Sequence, residues 1–165
     1  MKEEKIEDSL QDHTLDRVDR RILMALQANG RISNQELAGL VHLSPAQCNR
    51  RHRRLERLGY VKRYEARLDA DRLGLGVTAF VHITMERGQF KEVLKFQRTI
   101  ERMPEILECH AVTGDFDYVC KVVASDLKSL SNFLLGTLAQ LPGVNGVRSS
   151  ICLNELKCTS ALPLE

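Results

Sequence analysis

Apolar residues in the N-terminal part of the chain recur with the spacing of short amphipathic helices. Leu15, Val18, Ile22 and Leu26 stand three or four positions apart, and Leu23 lies next to Ile22. This spacing places them on one face of a helix, and Asn29 followed by Gly30 predicts where that helix ends. Ser33, with Glu36 three positions later, has the pattern of a capping box and predicts the start of a second helix.

A third helix is predicted to begin at Ser44, because this serine is a good N-cap and Pro45 follows it. Proline is tolerated at the first helical position, where the backbone N–H has no helical partner. The second and third helices are joined by a tight turn at His42 and Leu43. Three short helices with such a turn predict a helix-turn-helix.

The predicted third helix has one apolar side and one strongly basic side. With about 100° of rotation per residue, Cys48, His52 and Leu55 fall together and face the core. Arg50, Arg53 and Arg57 fall opposite them, behind short polar residues at the start of the helix. That order suits a helix whose first turns enter the major groove, where Gln and Asn pair with adenine, Arg pairs with guanine and further arginines meet phosphates.

Basic residues continue beyond this helix into residues 60–68, a segment that alternates like a strand and that we interpret as a wing. Residues 44–64 hold seven Arg and Lys residues against one Glu, although the chain has a formal net charge of only +2. A solvated charged face is the usual explanation of a charge run, but such faces normally mix both signs. The band therefore predicts binding to double-stranded DNA, with contacts from Ser44, Ala46, Gln47, Asn49, Arg50, Arg53, Arg54, Arg57, Lys62 and Arg63.

The hydrophobic period changes after residues 69–76, a short turn-rich stretch that we interpret as a hinge. Apolar residues alternate from Val77 to Met85 as in a half-buried strand, and residues 90–103 then have helical spacing. Residues 107–113 and 118–124 predict two more strands, Ser125 is predicted to cap a second helix, and residues 147–156 predict a last strand. This order is that of the ferredoxin-like βαββαβ fold, so we expect an α+β protein.

Length and composition are those of a globular protein, because 165 residues with 43% apolar residues can fill the cores of two small domains. The N-terminal residues are charged, and no stretch approaches the roughly 20 apolar residues that a membrane span needs. We therefore expect a cytoplasmic protein without a membrane partner. The chain has 5 cysteines and no C-x-x-C pair, so neither a disulfide framework nor a zinc site is expected.

Two stretches resemble one family of bacterial and archaeal proteins. Residues 15–64 resemble the DNA-binding half of the Lrp/AsnC, or feast/famine, transcription regulators. The stretch AVTGDFDYVCKV, residues 111–122, is similar to the T-G-x-x-D-Y signature of their effector domain. The resemblance implies a transcription regulator that forms a homodimer through its sheets, assembles further to an octamer or higher, and senses a small molecule, usually an amino acid.

The resemblance also highlights one departure. The family usually has Val or Ile where this chain has His52. A core histidine with a bonded ring nitrogen is one explanation, and a contact to a DNA phosphate is the other.

The loop TGDFD carries groups that a zwitterionic amino acid needs. Asp115 and Asp117 offer acceptors for an ammonium, and backbone N–H groups around Gly114 offer donors for a carboxylate. An ordinary hairpin turn also uses Gly and Asp, and the residues alone favour that explanation. The resemblance favours a ligand pocket between subunits, and it implies effector-binding residues Thr113, Gly114, Asp117, Ser149 and Ser150. The loop chemistry adds Asp115 to this set.

Three other classes of function remain to be weighed. No G-x-S-x-G, H-E-x-x-H or Gly-rich phosphate loop occurs, so we expect neither an enzyme nor a bound metal or cofactor. A redox- or metal-responsive regulator is open, because Cys109 and Cys120 lie on neighbouring predicted strands. A turn over residues 114–117 would, however, leave these cysteines diagonal and about 7 to 8 Å apart, which is beyond disulfide reach. The third alternative is an architectural DNA-binding protein without sequence preference.

These patterns divide the chain into five segments. We expect a charged tail over residues 1–14, a winged helix-turn-helix domain over 15–68 and a hinge over 69–76. A ferredoxin-like domain for ligand sensing and oligomerisation follows over 77–156, and a C-terminal tail over 157–165.

Overall fold

The computed structural model describes residues 15–86, 88 and 90–164 of the chain, which form two units. One unit consists of the residues up to Arg67 together with those from Lys157 onward, and the other spans Leu68–Leu156. The charged tail predicted over residues 1–14 lies outside the described residues. The residues predicted as a C-terminal tail belong to the N-terminal unit.

Three helices form the N-terminal unit: α1 (Arg17–Ala28), α2 (Asn34–Val41) and α3 (Pro45–Arg57). Each begins with a reciprocal capping box, at Asp16, Ser33 and Ser44 respectively. The caps at Ser33 and Ser44 confirm the predicted helix starts. His42 ends α2 with a φ of 56°, a left-handed conformation that turns the chain towards α3.

The inner faces of these helices meet in one core. Ile22, Leu37, Cys48 and Leu55 are almost completely buried, which confirms the inner sides that the helical spacing predicts. Leu164 packs against this core. The Gln27 side chain exchanges two hydrogen bonds with the backbone N–H and C=O of Leu162. The C-terminal residues therefore complete the N-terminal unit.

Residues 60–68 form no strand within the part of the chain that the structure describes, so the strand predicted for the wing is absent there. Side chains hold the segment instead. The Tyr64 hydroxyl lies 2.6 Å from His52 Nε2 and donates to Glu56 Oε1 at 3.0 Å, and Arg67 Nη1 donates to the Cys158 carbonyl at 2.9 Å. An alternating pattern becomes a strand only where a second strand supplies backbone hydrogen bonds.

The C-terminal unit has the predicted βαββαβ order. Its elements are β1 (Val77–Met85), α4 (Phe90–Ile100), β2 (Ile106–Ala111), β3 (Tyr118–Ala124), α5 (Leu127–Gly136) and β4 (Val144–Ile151). The strands are antiparallel neighbours in the order β2-β3-β1-β4. The α+β class and the four-stranded sheet are thereby confirmed.

Both helices cover the same face of this sheet. Val81, Cys120 and Val122 of the central strands share one core with Phe96 of α4 and Leu130 of α5. The opposite face, called the outer face below, carries Thr78, Phe80, His82, Thr84 and the residues paired with them. Phe80 is 43% exposed there, so a large apolar side chain at the middle of the sheet is only partly covered by the described residues.

Several boundaries differ from the predicted ones: α4 ends at Ile100 instead of residue 103, β2 spans Ile106–Ala111 instead of 107–113, and β4 begins at Val144 instead of residue 147. Asp126, not Ser125, caps α5, because its Oδ1 accepts a hydrogen bond of 2.7 Å from the Ser129 backbone N–H. Strand β4 ends at Ile151 instead of residue 156, and Leu153 is 97% exposed. The neighbouring strand β1 begins at Val77, and Ile151 already pairs with Ala79. Strand β1 therefore has almost no residues left with which the residues after Ile151 could pair.

The register between β2 and β3 differs from the predicted one by two residues. Ala111 pairs with Tyr118 and Cys109 pairs with Cys120, because the connecting loop spans residues 112–117 and is longer than the predicted turn. The two cysteines therefore lie directly opposite each other. The predicted diagonal placement was wrong.

Candidate functional site

The outward side of α3 is a row of exposed basic residues. Arg50, Arg53 and Arg57 are all exposed, as are Ala46 and Gln47 at the start of the helix. This arrangement follows from the helical spacing, because Cys48 and Leu55 hold the opposite side in the core. The predicted order of polar residues first and arginines behind them is thus present on one surface.

The first turn of α3 has fewer hydrogen-bonding groups available for DNA bases than the sequence indicates. Gln47 Oε1 accepts hydrogen bonds from the Ser44 backbone N–H at 3.3 Å and from the Ser44 hydroxyl at 3.0 Å. The Gln47 amide keeps its N–H groups as donors. A bidentate pair with adenine needs both the donor and the acceptor of the amide, so it would require this cap to open.

Arg54 does not lie on the outward side as predicted. Its Nη2 lies 2.5 Å from Asp19 Oδ2 of α1, and Arg51 Nη1 lies 2.8 Å from Asp19 Oδ1. The Asp19 side chain is 0% exposed. A buried carboxylate requires such partners, so Arg54 and Arg51 fix α3 against α1. The helical spacing put Arg54 near the edge of the outward face, and it gave no sign that a buried acid on another helix would attract it.

Asp16 extends this ion-pair cluster at the surface. Arg51 Nη1 lies 2.6 Å from Asp16 Oδ2. Hydrogen bonds to Asp19 and Asp16 raise the pKa of Arg51. Burial alone would raise the pKa of Asp16, but the Asp19 backbone N–H and the Arg51 guanidinium together hold it below its ordinary value. Arg51 and Asp16 therefore remain ionised at neutral pH.

His52 has a bonded ring nitrogen, as the first of its two explanations requires, but it is half-buried rather than part of the core. Its Nε2 contacts the Tyr64 hydroxyl, and the two rings meet edge to face. Partial burial and the Glu56 carboxylate raise the pKa of Tyr64 to about 12. Lys62 and Arg63 follow α3 and are exposed, although Arg63 Nε lies 2.6 Å from Glu65 Oε2.

The loop over residues 112–117, called the effector loop below, is held by Asp117. Its backbone N–H donates to the Ile83 carbonyl at 3.0 Å, and its carbonyl accepts from Val112 N–H at 3.0 Å. Asp117 Oδ2 accepts a hydrogen bond of 2.7 Å from the Met85 backbone N–H. Met85 lies where the β1–β4 pairing shifts register. At this irregular position, the Asp117 carboxylate is the acceptor for the Met85 backbone N–H. Asp117 is exposed, like Thr113, Gly114 and Asp115, but its carboxylate is already hydrogen-bonded within the protein.

A ring cluster that the sequence analysis missed lies beside this loop. The Phe116 ring is 4.7 Å from the His82 ring, measured between centroids, and the Arg148 guanidinium carbon is 5.8 Å from the centre of Phe116. Phe116 thus lies on the outer face across β1 and β4. The alternation of β1 and β4 could have placed His82 and Arg148 on one face, but no pattern in the sequence indicates that Phe116 folds back onto them.

The two predicted serines of β4 do not lie on one face. Ser150 pairs with Phe80, and Ser149 pairs with Val81. Because neighbouring residues of a strand point to opposite faces, Ser150 lies on the outer face with Arg148 and Ser149 lies on the helix side. A single pocket on the outer face cannot use both side chains.

Further features of the described residues bear on the other classes of function. No group of three or more His, Cys, Asp or Glu residues is placed to hold a metal ion within residues 15–86, 88 and 90–164. None of the helices in these ranges is long and apolar enough to cross a membrane.

Comparisons with known proteins match both units. A family model for winged helix-turn-helix DNA-binding matches residues 15–62, and a family model for the Lrp/AsnC ligand binding domain matches residues 78–162. The leucine-responsive regulatory proteins of Salmonella typhimurium and of Escherichia coli strain K12 are each 42% identical to this chain over 151 residues, covering 92% of this chain and 92% of each relative.

Solved structures agree with these sequence matches. A transcriptional regulator from Neisseria meningitidis, solved as a complex with L-Met, matches with a TM-score of 0.89 and 39% identity, over 92% of this chain and 97% of that chain. An AsnC family transcriptional regulator from Agrobacterium tumefaciens matches with a TM-score of 0.85 and 31% identity, over 91% of this chain and 97% of that chain.

Proposed function

Because the chain belongs to the Lrp/AsnC family of DNA-binding transcription regulators, we propose that it recognises an operator sequence with α3 and binds an amino acid at the effector loop. The observation that carries the first part is the single exposed row of Arg50, Arg53 and Arg57 on a helix that follows a helix-turn-helix turn. The family consists of regulators and not of enzymes.

The position of each arginine along α3 suggests which part of the DNA it contacts. The N-terminal turns of a recognition helix approach base edges, and later turns pass the phosphates. Arg50 follows Gln47 by one turn and is the first exposed cation of α3, so it is the candidate for a guanine contact. Arg53 and Arg57 lie further along and suit phosphates. Lys62 and Arg63, in the wing segment, would add further phosphate contacts, while Arg54 serves the ion pair with Asp19.

Selection of bound duplexes from a random DNA pool tests this part of the proposal. A sequence-specific regulator enriches one motif and binds it about 10³-fold or more tightly than scrambled DNA of the same length at physiological salt. A pool that shows no enriched motif would indicate an architectural protein without sequence preference.

The effector loop and the outer face together offer the chemistry that an amino acid needs. The exposed Asp115 carboxylate can accept from an ammonium, and the Arg148 guanidinium and the N–H groups around Gly114 can donate to a carboxylate. The rings of Phe116 and His82 supply an apolar wall. Thr113 and Ser150 lie at the edge of this region, while Asp117 positions the loop. The complex of the Neisseria meningitidis relative with L-Met supports an amino acid as the ligand class.

A thermal-shift screen of the twenty amino acids tests the ligand proposal, because a ligand that binds only the native state raises the melting temperature. One or a few amino acids should raise it in the wild type, and Asp115→Asn should remove the response. Glu101→Gln, a matched change of an exposed acid after α4, should keep it. Absence of any shift at millimolar concentrations would contradict amino-acid sensing.

The outer face also suggests how copies assemble. A second sheet packed on Phe80 would bury its apolar surface and would bring a second subunit close to the effector loop, which fits a pocket between subunits. A two-fold dimer presents two copies of α3 to paired half-sites about 34 Å apart. We therefore propose a homodimer in the cytoplasm that assembles further to an octamer or higher.

A further inference from the structure

Two cysteine sulfurs of the C-terminal unit are in contact. Cys120 Sγ lies 3.2 Å from Cys109 Sγ, within hydrogen-bond distance for a thiol. Cys109 is on β2 and Cys120 is on β3, directly opposite each other in the register. Both cysteines are free thiols in this structure. The remaining distance to a disulfide of about 2.05 Å is therefore about one ångström.

The backbone at this pair also suits a crosslink. Val112 N–H donates to the Asp117 carbonyl across the strand ends, which places residues 112 and 117 at a hydrogen-bonded position of the ladder, although the Asp117 N–H itself bonds to Ile83. Since the two pair types alternate along an antiparallel ladder, Cys109 and Cys120 form a non-hydrogen-bonded pair. Such pairs have Cα atoms about 4.5 Å apart, which lies within the range that disulfides span. Only small side-chain rotations are needed to join the sulfurs.

The two thiols have different environments. Cys120 is completely buried, whereas Cys109 is partly exposed at the edge strand of the sheet. The hydrogen bond from the Cys120 thiol lowers the pKa of Cys109 to about 7. The same contact, together with burial, raises the pKa of Cys120. Cys109 is therefore the thiol that reacts with solutes as a thiolate. Cys120 is the buried thiol next to it.

We infer that Cys109 and Cys120 form a reversible redox site that a hydroperoxide converts to an intramolecular disulfide. The Cys109 thiolate attacks one peroxide oxygen, the O–O bond breaks, and the leaving oxygen departs as an alcohol, or as water from hydrogen peroxide, after taking a proton. Cys109 is then a sulfenic acid. The Cys120 sulfur attacks the Cys109 sulfur, the S–O bond breaks, and the hydroxide leaves as water with the Cys120 proton. Two thiols lose two electrons and the peroxide gains them.

The disulfide would act on the part of the fold that holds the effector loop. Strand β2 is an edge strand, bound only to β3, and it leads directly into residues 112–117. A covalent bond across this hairpin would restrict the movement of β2 against β3. The oxidised protein should therefore resist local opening of the hairpin more than the reduced protein does.

Mass spectrometry and thiol counting on the full-length protein test the inference. The reduced chain has 5 thiols, and treatment with a small excess of hydrogen peroxide should leave three. Cys109 and Cys120 lie on one tryptic peptide, residues 103–121, so a tryptic map without reductant should show this peptide lighter by two hydrogen atoms, and dithiothreitol should restore its mass. Cys158→Ser, which changes an exposed thiol of the other unit, should lose the same two thiols as the wild type.

Single variants of the pair distinguish this order of events from unspecific oxidation. Cys120→Ala should stop the reaction at the Cys109 sulfenic acid, which dimedone traps as a mass increase on the Cys109 peptide. Cys109→Ser should keep its remaining thiols under the same treatment. The inference is overturned if the wild type keeps all its thiols, if the crosslink joins two chains, or if Cys109→Ser still loses two thiols. Hydrogen exchange of residues 106–124, slower in the oxidised wild type only, provides a readout that does not depend on how well either variant folds.

Discussion

Arg50 and Arg53 are two exposed arginines one turn apart on α3 that we expect to perform different tasks. Arg50→Ala should weaken binding to the selected operator by about 1 to 3 kcal/mol, because a bidentate guanine contact is lost. Its effect on scrambled DNA should be much smaller. Fluorescence anisotropy on both duplexes measures the difference.

Arg53→Ala serves as the matched control for this prediction. It should weaken binding to both duplexes alike and reduce the slope of log K against log salt by about one unit, because one phosphate contact is lost. Equal losses on both duplexes for Arg50→Ala would instead make Arg50 a phosphate contact.

Asp19 is the residue on which the orientation of α3 depends most. Asp19→Asn leaves Arg51 and Arg54 without their shared counter-ion, and breaking a buried pair costs about 3 to 5 kcal/mol. We expect about 3 kcal/mol in the free energy of unfolding, at the low end, because both arginines are partly exposed. Urea denaturation monitored by helical circular dichroism measures it.

Asp16→Asn is the control for Asp19→Asn. Asparagine keeps the N-cap of α1, and the Asp16 side chain is 49% exposed, so this change should cost less than about 1 kcal/mol. If both variants lose the same stability, the buried position of Asp19 does not explain its role.

The sequence predicted which arginines of α3 are exposed better than it predicted their partners. The helical period follows from local geometry, so it placed Arg50, Arg53 and Arg57 correctly. The partner of Arg54 is Asp19, on another helix, and a local period carries no information about such a contact. Phe116 shows the same limit, since its contact with His82 depends on how the effector loop folds over the sheet.

At the scale of elements, Asp117 joins the effector loop to the irregular end of β1. Asp117→Ala removes the acceptor of the Met85 N–H, so we expect a loss of about 1 to 2 kcal/mol in unfolding free energy together with loss of the ligand-induced thermal shift. Asp117→Asn keeps an acceptor oxygen at the same place and should restore most of both. Denaturation and the thermal-shift assay measure the two properties on the same samples.

This pair of variants separates a positioning role from direct binding. If Asp117 itself binds the ammonium of the ligand, Asp117→Asn will be as stable as the wild type and yet fail to respond. The sequence suggested the direct role because a carboxylate after a glycine turn fits a ligand. The hydrogen bond to Met85, which lies 32 residues earlier in the chain, could not be seen in that pattern.

The order of elements was predictable, whereas their pairing was less so. Periods of two and of three to four residues identify strands and helices locally, and they gave the βαββαβ order and the three N-terminal helices. Register depends on the true length of the loop over residues 112–117, and the wing depends on whether a second strand is present. Both are properties of tertiary structure, so the pattern misplaced Cys109 against Cys120 and predicted a strand over residues 60–68.

At the scale of the whole molecule, the uncovered outer face leads to a prediction about assembly. Phe80→Glu places a charge at the centre of this face and should convert the protein from a dimer or larger assembly to monomers of 18.7 kDa. Leu94→Glu is the matched control, because Leu94 is 57% exposed and lies on α4, away from the outer face. Size-exclusion chromatography with light scattering measures both. A wild-type protein that is a monomer at micromolar concentration would contradict the assembly.

The central claim is that the protein recognises an operator with α3, and that its affinity for the operator changes when an amino acid binds the C-terminal unit. Anisotropy of the selected operator duplex, with and without the amino acid that raises the melting temperature, tests it most directly. A ligand acts only through differential affinity for the two states, so the operator Kd should change by about 5-fold or more in either direction, while Asp115→Asn should bind the operator and show no change. A stabilising amino acid that leaves the operator Kd of the wild type unaltered would contradict the account.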